Sequence, residues 1–191
     1  MLNEWRWLYV VFLILTCICS CVSFQVLHSS SPERIISRAP KRGFMTCGLE
    51  VTIHIRGKKS GGEDWISTGI DEYQKRLRST LKLQTKWYKD DSALIQGVKK
   101  EKGVIVTLDE RGKLLNSKEF SQMMYKMLED GGSRLHFVIG GAEGLPPSLK
   151  TEAKHLISLS KMTFTHQQAR LILAEQIYRA TEIRKGTGYH K

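Results

Sequence analysis

Residues 134–191 read RLHFVIGGAEGLPPSLKTEAKHLISLSKMTFTHQQARLILAEQIYRATEIRKGTGYHK, and the reading of this stretch decides the fold. An apolar run, Leu135 to Ile139, ends on Gly140 and Gly141; Gly144 follows, and Pro146 and Pro147 open a helix expected to reach about His155. Glycine lets a backbone turn sharply and lets a ligand come close, because no Cβ intervenes. A strand that runs into such a turn and then a helix is a common seat for a cofactor. GG-x-x-G lacks the spacing of the dinucleotide fingerprint G-x-G-x-x-G, which disfavours a redox enzyme of that kind. Leu156 to Leu159 is a short apolar segment. Thr165 with Gln168 forms a capping-box pattern ahead of a long helix from about His166 to Arg184, and Gly186 and Gly188 release a tail ending Tyr189-His190-Lys191.

Upstream, Leu49, Val51, Ile53 and Ile55 alternate with Glu50, Thr52 and His54, which is strand period. The basic, Gly-rich loop Arg56 to Gly62 follows, and then a helix carries Ile66, Ile70, Tyr73 and Leu77. A second alternation, Leu81 to Trp87, is followed by a short helix from Ser92. Val104 to Leu108 is a continuous run of the kind buried on both faces of a sheet, and Asp109-Glu110-Arg111-Gly112 reads as the loop after it. Asn116 with Glu119 predicts a capping box for a helix whose apolar stripe is Phe120, Met123, Met124, Met127 and Leu128. Alternating strands and helices predict an α/β fold, a mostly parallel sheet with helices on both faces. Such sheets bind ligands at the carboxyl ends of their strands, so the loops at Leu108-Asp109, Gly140-Gly141 and Leu159 to Phe164 are expected to converge on one cleft. HExxH, CxxC, Walker and nucleophile-elbow patterns are absent, and His155 and His166 are too far apart to bind metal from one helix; no metal is expected.

The chain has 191 residues with a net charge of +11. Residues 1–43 hold five Lys/Arg and two Asp/Glu, so +8 falls on the remainder. A basic domain points to a polyanionic partner, nucleic acid before membrane. A domain of about 150 residues buries roughly 68–70% of its unfolded surface, enough for a core without disulfides. The front is different in kind. Residues 8–22 are nearly all apolar, short of the ~20 residues of a membrane span and near the ~7–15 of a signal core. Residues 24–42 are rich in Ser and Arg, a transit composition, so residues 1–43 are read as an unstructured two-part targeting leader ahead of a domain at 49–191. The expected address is the plastid, with no stable membrane association once the leader is removed. A mitochondrial address, or a retained membrane anchor, is the alternative. Cys17, Cys19 and Cys21 lie in the leader, and only Cys47 remains, which fits a reducing compartment.

The segments VTLDERGK, FVIGGAEGL, LSLSKMTFTHQQAR, LAEQIYRA and GTGYHK resemble the RlmH family of ribosomal RNA large-subunit methyltransferases, small members of the SPOUT superfamily. The resemblance covers about Leu49 to Lys191. The linker between the Trp87 and Val104 strands is shorter than in bacterial members. The resemblance implies a trefoil knot, a homodimer, and S-adenosylmethionine held by Leu108, Gly140, Gly141, Leu159, Ser160, Lys161, Met162, Thr163 and Phe164. It implies methylation at N3 of a pseudouridine in the helix 69 loop of 23S-type rRNA on the assembled ribosome. The imide proton of N3 needs a base, and His190 beside Tyr189 is the first choice, with Arg170 as a contact to phosphate or target base. The RNA site is expected between subunits, bordered by Arg56, Lys58, Lys59 and Lys191. A SPOUT enzyme acting on tRNA and a non-catalytic ribosome-binding factor remain as alternatives.

Overall fold

Alternation of period two builds the first strand, β1 (Glu50–Arg56), in which Val51, Ile53 and Ile55 all point to one side of the sheet and are fully buried. The computed structural model describes residues 48–58 and 64–190; the leader, Cys47, Lys59 and Lys191 lie outside the described residues. After β1 come α1 (Asp64–Leu77), β2 (Lys82–Tyr88), α2 (Asp91–Lys99), β3 (Val104–Leu114), α3 (Ser117–Asp130), β4 (Arg134–Ile139), α4 (Pro147–Thr151), β5 (Leu156–Ser158) and α5 (His166–Lys185). The five strands form one sheet in the order β2-β1-β4-β3-β5, and every pairing is parallel. The chain is therefore α/β with a parallel sheet, as its element pattern predicts. Among the described residues, no helix is long and apolar enough to cross a membrane.

The sheet separates two cores. Ile53, Phe137 and Val106 face Ile66 and Ile70 of α1, Met124 and Leu128 of α3, and Leu173 and Ile177 of α5. Val138, on the opposite face, meets Leu94 and Val98 of α2, and Leu145 and Leu149 around α4. Burying one such side chain contributes about 1.5–3 kcal/mol, so the larger cluster dominates stability. The capping box on α3 is present: Asn116 Oδ1 accepts from the amides of Lys118 and Glu119, and Glu119 Oε2 accepts from the Asn116 amide.

Four details differ from the sequence reading. The second helix begins at Asp91, because the Asp90 side chain accepts from the Ala93 amide and caps it one residue early. At α5 only half of the capping box forms, with Thr165 Oγ1 accepting from the Gln168 amide. The helix opened by the prolines stops at Thr151, since the chain must be extended by His155, whose carbonyl accepts from the Thr107 amide at 2.9 Å. Asp109 to Gly112, expected as a loop, lies within β3. Both Leu108 and Lys113 take Ile157 as register partner, so residues 109–112 arch outward between two pairings to the same residue. Gly112 permits this, because a Cβ there would lie 2.3 Å from the carbonyl carbon of Ile157.

Candidate cofactor cleft

Three neighbouring strands, β4, β3 and β5, come level at one point of the sheet. Leu108 is in register with Ile139 of β4 and with Ile157 of β5. Beyond these residues a cleft of about 310 Å³ opens at the carboxyl edge. That volume is at the lower end of the ~300–1,000 Å³ of small-molecule sites. Its apolar walls are Leu108, Ile139, Leu145, Leu159, Phe164 and Ala169, and its polar lining includes Asp109, Glu110, Glu143, Lys150 and His166.

Each loop has its own internal support. Gly140 lies against the next turn: a Cβ there would be 2.2 Å from the carbonyl group of Gly144 and 2.5 Å from the Leu145 amide nitrogen. Closure of the loop on itself thus requires the glycine. The Gly144 amide donates to the Gly141 carbonyl at 3.0 Å, which closes the turn. In the third loop, Ser158 Oγ donates to the Ser160 carbonyl at 2.7 Å and Ser160 Oγ accepts from the Met162 amide at 3.0 Å. Met162 is left with its side chain in the open, 70% exposed.

An ion pair in the cleft wall joins Asp109 to Lys150 at 2.7 Å, with the carboxylate side chain only 6% exposed. Burial works against the charged carboxylate, but the Lys150 ammonium and the Arg111 amide outweigh it and hold its pKa below the usual value. Burial, reinforced by Arg170, lowers the His166 pKa and favours the neutral ring. One turn further along α5, Arg170 is buried with its guanidinium 4.6 Å above the Trp87 ring, and its Nε has no hydrogen-bond partner. Burial pulls its pKa down, and Asp71 opposes this.

Of the expected cofactor residues, Leu108, Gly140, Gly141, Leu159, Ser160, Met162, Thr163 and Phe164 line the cleft, whereas Lys161 is exposed and outside its wall. Asp109, Glu110, Glu143, Lys150 and His166 went unread as lining residues. An acidic residue just past a strand was the available signal for Asp109, but the Lys150 contact crosses from α4 to β3 and has no local trace. Tyr189 and His190 do not line the cleft. Tyr189 packs edge-on against Tyr178 with ring centroids 5.0 Å apart, under the Arg179 guanidinium, and its hydroxyl donates to Glu175 at 3.3 Å. Burial and then Glu175 raise its pKa. His190 is half-buried, with Nδ1 unpartnered. Arg56 pairs with Asp91 at 3.1 Å and lies over Gly141, and Lys58 is exposed.

The family model described as predicted SPOUT methyltransferase matches residues 49–190. The chain belongs to the SPOUT methyltransferase family. A relative from Protochlamydia amoebophila, named ribosomal RNA large subunit methyltransferase H, is 53% identical over 129 residues, 68% of this chain and 91% of the relative. Relatives of the same name from Prochlorococcus marinus and Geotalea daltonii are 42% and 36% identical. They cover 68% and 67% of this chain and 88% and 92% of their own lengths. The SPOUT match begins at the residue before β1.

Proposed function

We propose that this chain is an S-adenosylmethionine-dependent methyltransferase of large-subunit ribosomal RNA, acting at N3 of a pseudouridine in the helix 69 loop of the assembled ribosome. The observation that carries the reading is the cleft in which strand ends separated by tens of residues meet. Its chemistry fits the donor: an apolar floor suits a purine, and Asp109, Glu110 and Glu143 suit a sulfonium and an ammonium. Leu108 and Phe164 would flank the adenine, and backbone groups of residues 159–164 would meet its edge. When bound, the sulfonium supplies a methyl group already activated for transfer.

What the chain itself must do is position the target and accept a proton. Positioning can account for up to ~7–11 kcal/mol of such a barrier. His190 is the base for the N3 proton; its Nδ1 is buried without a hydrogen-bond partner among the described residues, so the tail must shift to present it. For Arg170 to contact the RNA its guanidinium must leave the Trp87 ring, because it is buried there with no acceptor for its Nε–H among the described residues. The tail lies outside its own chain's cleft, which favours a homodimer in which each subunit's tail completes the other's site. The knotted path and plastid address belong to the same proposal. Arg56, Lys58, Lys59 and Lys191 would neutralise phosphates, giving a salt slope of about −0.7 to −0.9 per contact.

The test is methyl transfer from labelled S-adenosylmethionine to intact ribosomes and to isolated tRNA, paired with mass spectrometry of plastid and mitochondrial large-subunit rRNA from cells lacking the protein. Transfer to ribosomes, and loss of one methylated pseudouridine in the plastid, is the expected result. Transfer to tRNA alone overturns the substrate.

A further inference from the structure

On the opposite side of β1 from the main core, two histidines meet. His54 is in register with Val138, two residues past His136 on β4, so both imidazoles stand on the face covered by α2. Both are buried, and His54 Nε2 is 3.1 Å from His136 Nδ1. Glu101, on the turn between α2 and β3, brings a carboxylate oxygen to the pair, with all three potential ligand atoms within 4.8 Å of one another. We propose that His54, His136 and Glu101 form a binding site for a divalent transition cation of the zinc class.

The hydrogen bonds fix which nitrogen carries each proton. The Lys102 carbonyl can only accept, so His136 Nε2 donates to it at 3.1 Å and His136 Nδ1 presents a lone pair. His54 Nε2 then donates to that lone pair, and His54 Nδ1 accepts from the Tyr88 hydroxyl at 2.8 Å. A ligating imidazole whose other N–H is held by a carbonyl is the usual outer-shell arrangement of a metal site. His136 has it already. His54 acquires it by moving its proton from Nε2 to Nδ1, where the Tyr88 oxygen accepts it. The two histidines neither gain nor lose a proton in this exchange.

Distance favours the same reading. Two imidazole nitrogens at ~2.0–2.1 Å from one tetrahedral ion lie about 3.3–3.4 Å apart, close to the observed separation. Glu101 supplies the third ligand while remaining near Lys86, with which it is ion-paired. A depression of about 280 Å³ reaches His136 and Glu101 from outside, giving the ion an entry path and a fourth, exchangeable position. The charges around that depression select the metal. Lys86, Lys100, Lys102 and Arg134 outnumber Glu50 and Glu101, which opposes any divalent cation, and a hard, oxygen-seeking ion such as Mg²⁺ finds little there to offset it. A metal must gain from bonds to imidazole to bind there, and zinc and cobalt do.

The experiment is calorimetric titration of the full chain, its thiols alkylated so that cysteine does not compete, with Zn²⁺ and with Mg²⁺. Co²⁺ spectra are recorded in parallel. The proposal expects one Zn²⁺ per chain, no Mg²⁺ binding, and the visible bands of four-coordinate Co²⁺. Glu101→Gln removes the carboxylate ligand at a partly exposed position, and binding is expected to weaken at least tenfold with the thermal midpoint recorded alongside. Tyr88→Phe leaves the ligands and removes an outer partner, for which ~10–100-fold is expected. No saturable Zn²⁺ binding, octahedral Co²⁺, or E101Q binding as wild type would overturn the site and leave a dry pair of hydrogen-bonded histidines.

Discussion

Gly140 touches the backbone of Gly144 so closely that any side chain at position 140 would overlap its carbonyl group. The contact sets the shape of the cleft wall between β4 and α4. Gly140→Ala must push the turn outward, and such overpacking costs about 1–3 kcal/mol. The expected outcome is a lower thermal midpoint and loss of measurable S-adenosylmethionine binding by calorimetry. Unchanged affinity in a folded G140A protein would remove this turn from the site.

The Asp109–Lys150 pair makes a pH-dependent prediction. The folded pKa of Asp109 lies below its reference value of 3.8, so its contribution is present above that value and lost as pH falls through the folded pKa. Lys150→Met leaves a buried carboxylate without its partner. A cost of about 1–3 kcal/mol is expected at pH 7, toward the lower end because the Lys150 head is open to water. Urea denaturation as a function of pH checks this: wild type and K150M should converge as Asp109 becomes protonated.

His54 acts in the same direction at a higher pH. Its pKa is pushed down to about 4, by burial first and then by His136. The unfolded chain takes up a proton near pH 6.5 and the folded chain does not, so stability falls as pH drops from 6.5 to about 4. The metal-free protein is expected to lose about 3 kcal/mol over that interval, at 1.36 kcal/mol per unit. His54→Asn should flatten the slope in chelator-treated samples; an unaltered slope would show that another group titrates.

The tail is tested by mixing subunits. His190→Ala is expected to lower methyl transfer by ~10²–10⁴-fold and leave S-adenosylmethionine affinity unchanged, since His190 does not line the cleft. Co-refolding H190A with a cleft-disabled variant such as G140A should restore activity in the mixed dimers if the tail works across subunits. Failure to restore activity, with both variants shown to exchange subunits, would confine each tail to its own chain.

What was legible in the chain depended on range. The period-two runs Val51 to Ile55 and Leu83 to Trp87, and the Asn116–Glu119 box, are local signals, and each marks its element. β5 is three residues long, too short for any period to declare itself, and reads only as an apolar segment. The arch at 109–112 exists because Ile157 is used twice, a long-range fact with no local mark. Lys150 beside Asp109, and His54 beside His136 and Glu101, are likewise products of sheet order. The cleft-lining residues that were anticipated came from motif resemblance more than from periodicity.

The doubly used Ile157 also has a consequence for synthesis. Thr107 finds its partner at His155, 48 residues later, and the last cleft residues, His166 and Ala169, sit on the final helix. A nascent chain that has emerged as far as β4 holds two strand ends and no third wall. The cleft is therefore assembled only after α5 has been made, and a polypeptide that stops before it lacks the wall carrying His166 and Ala169.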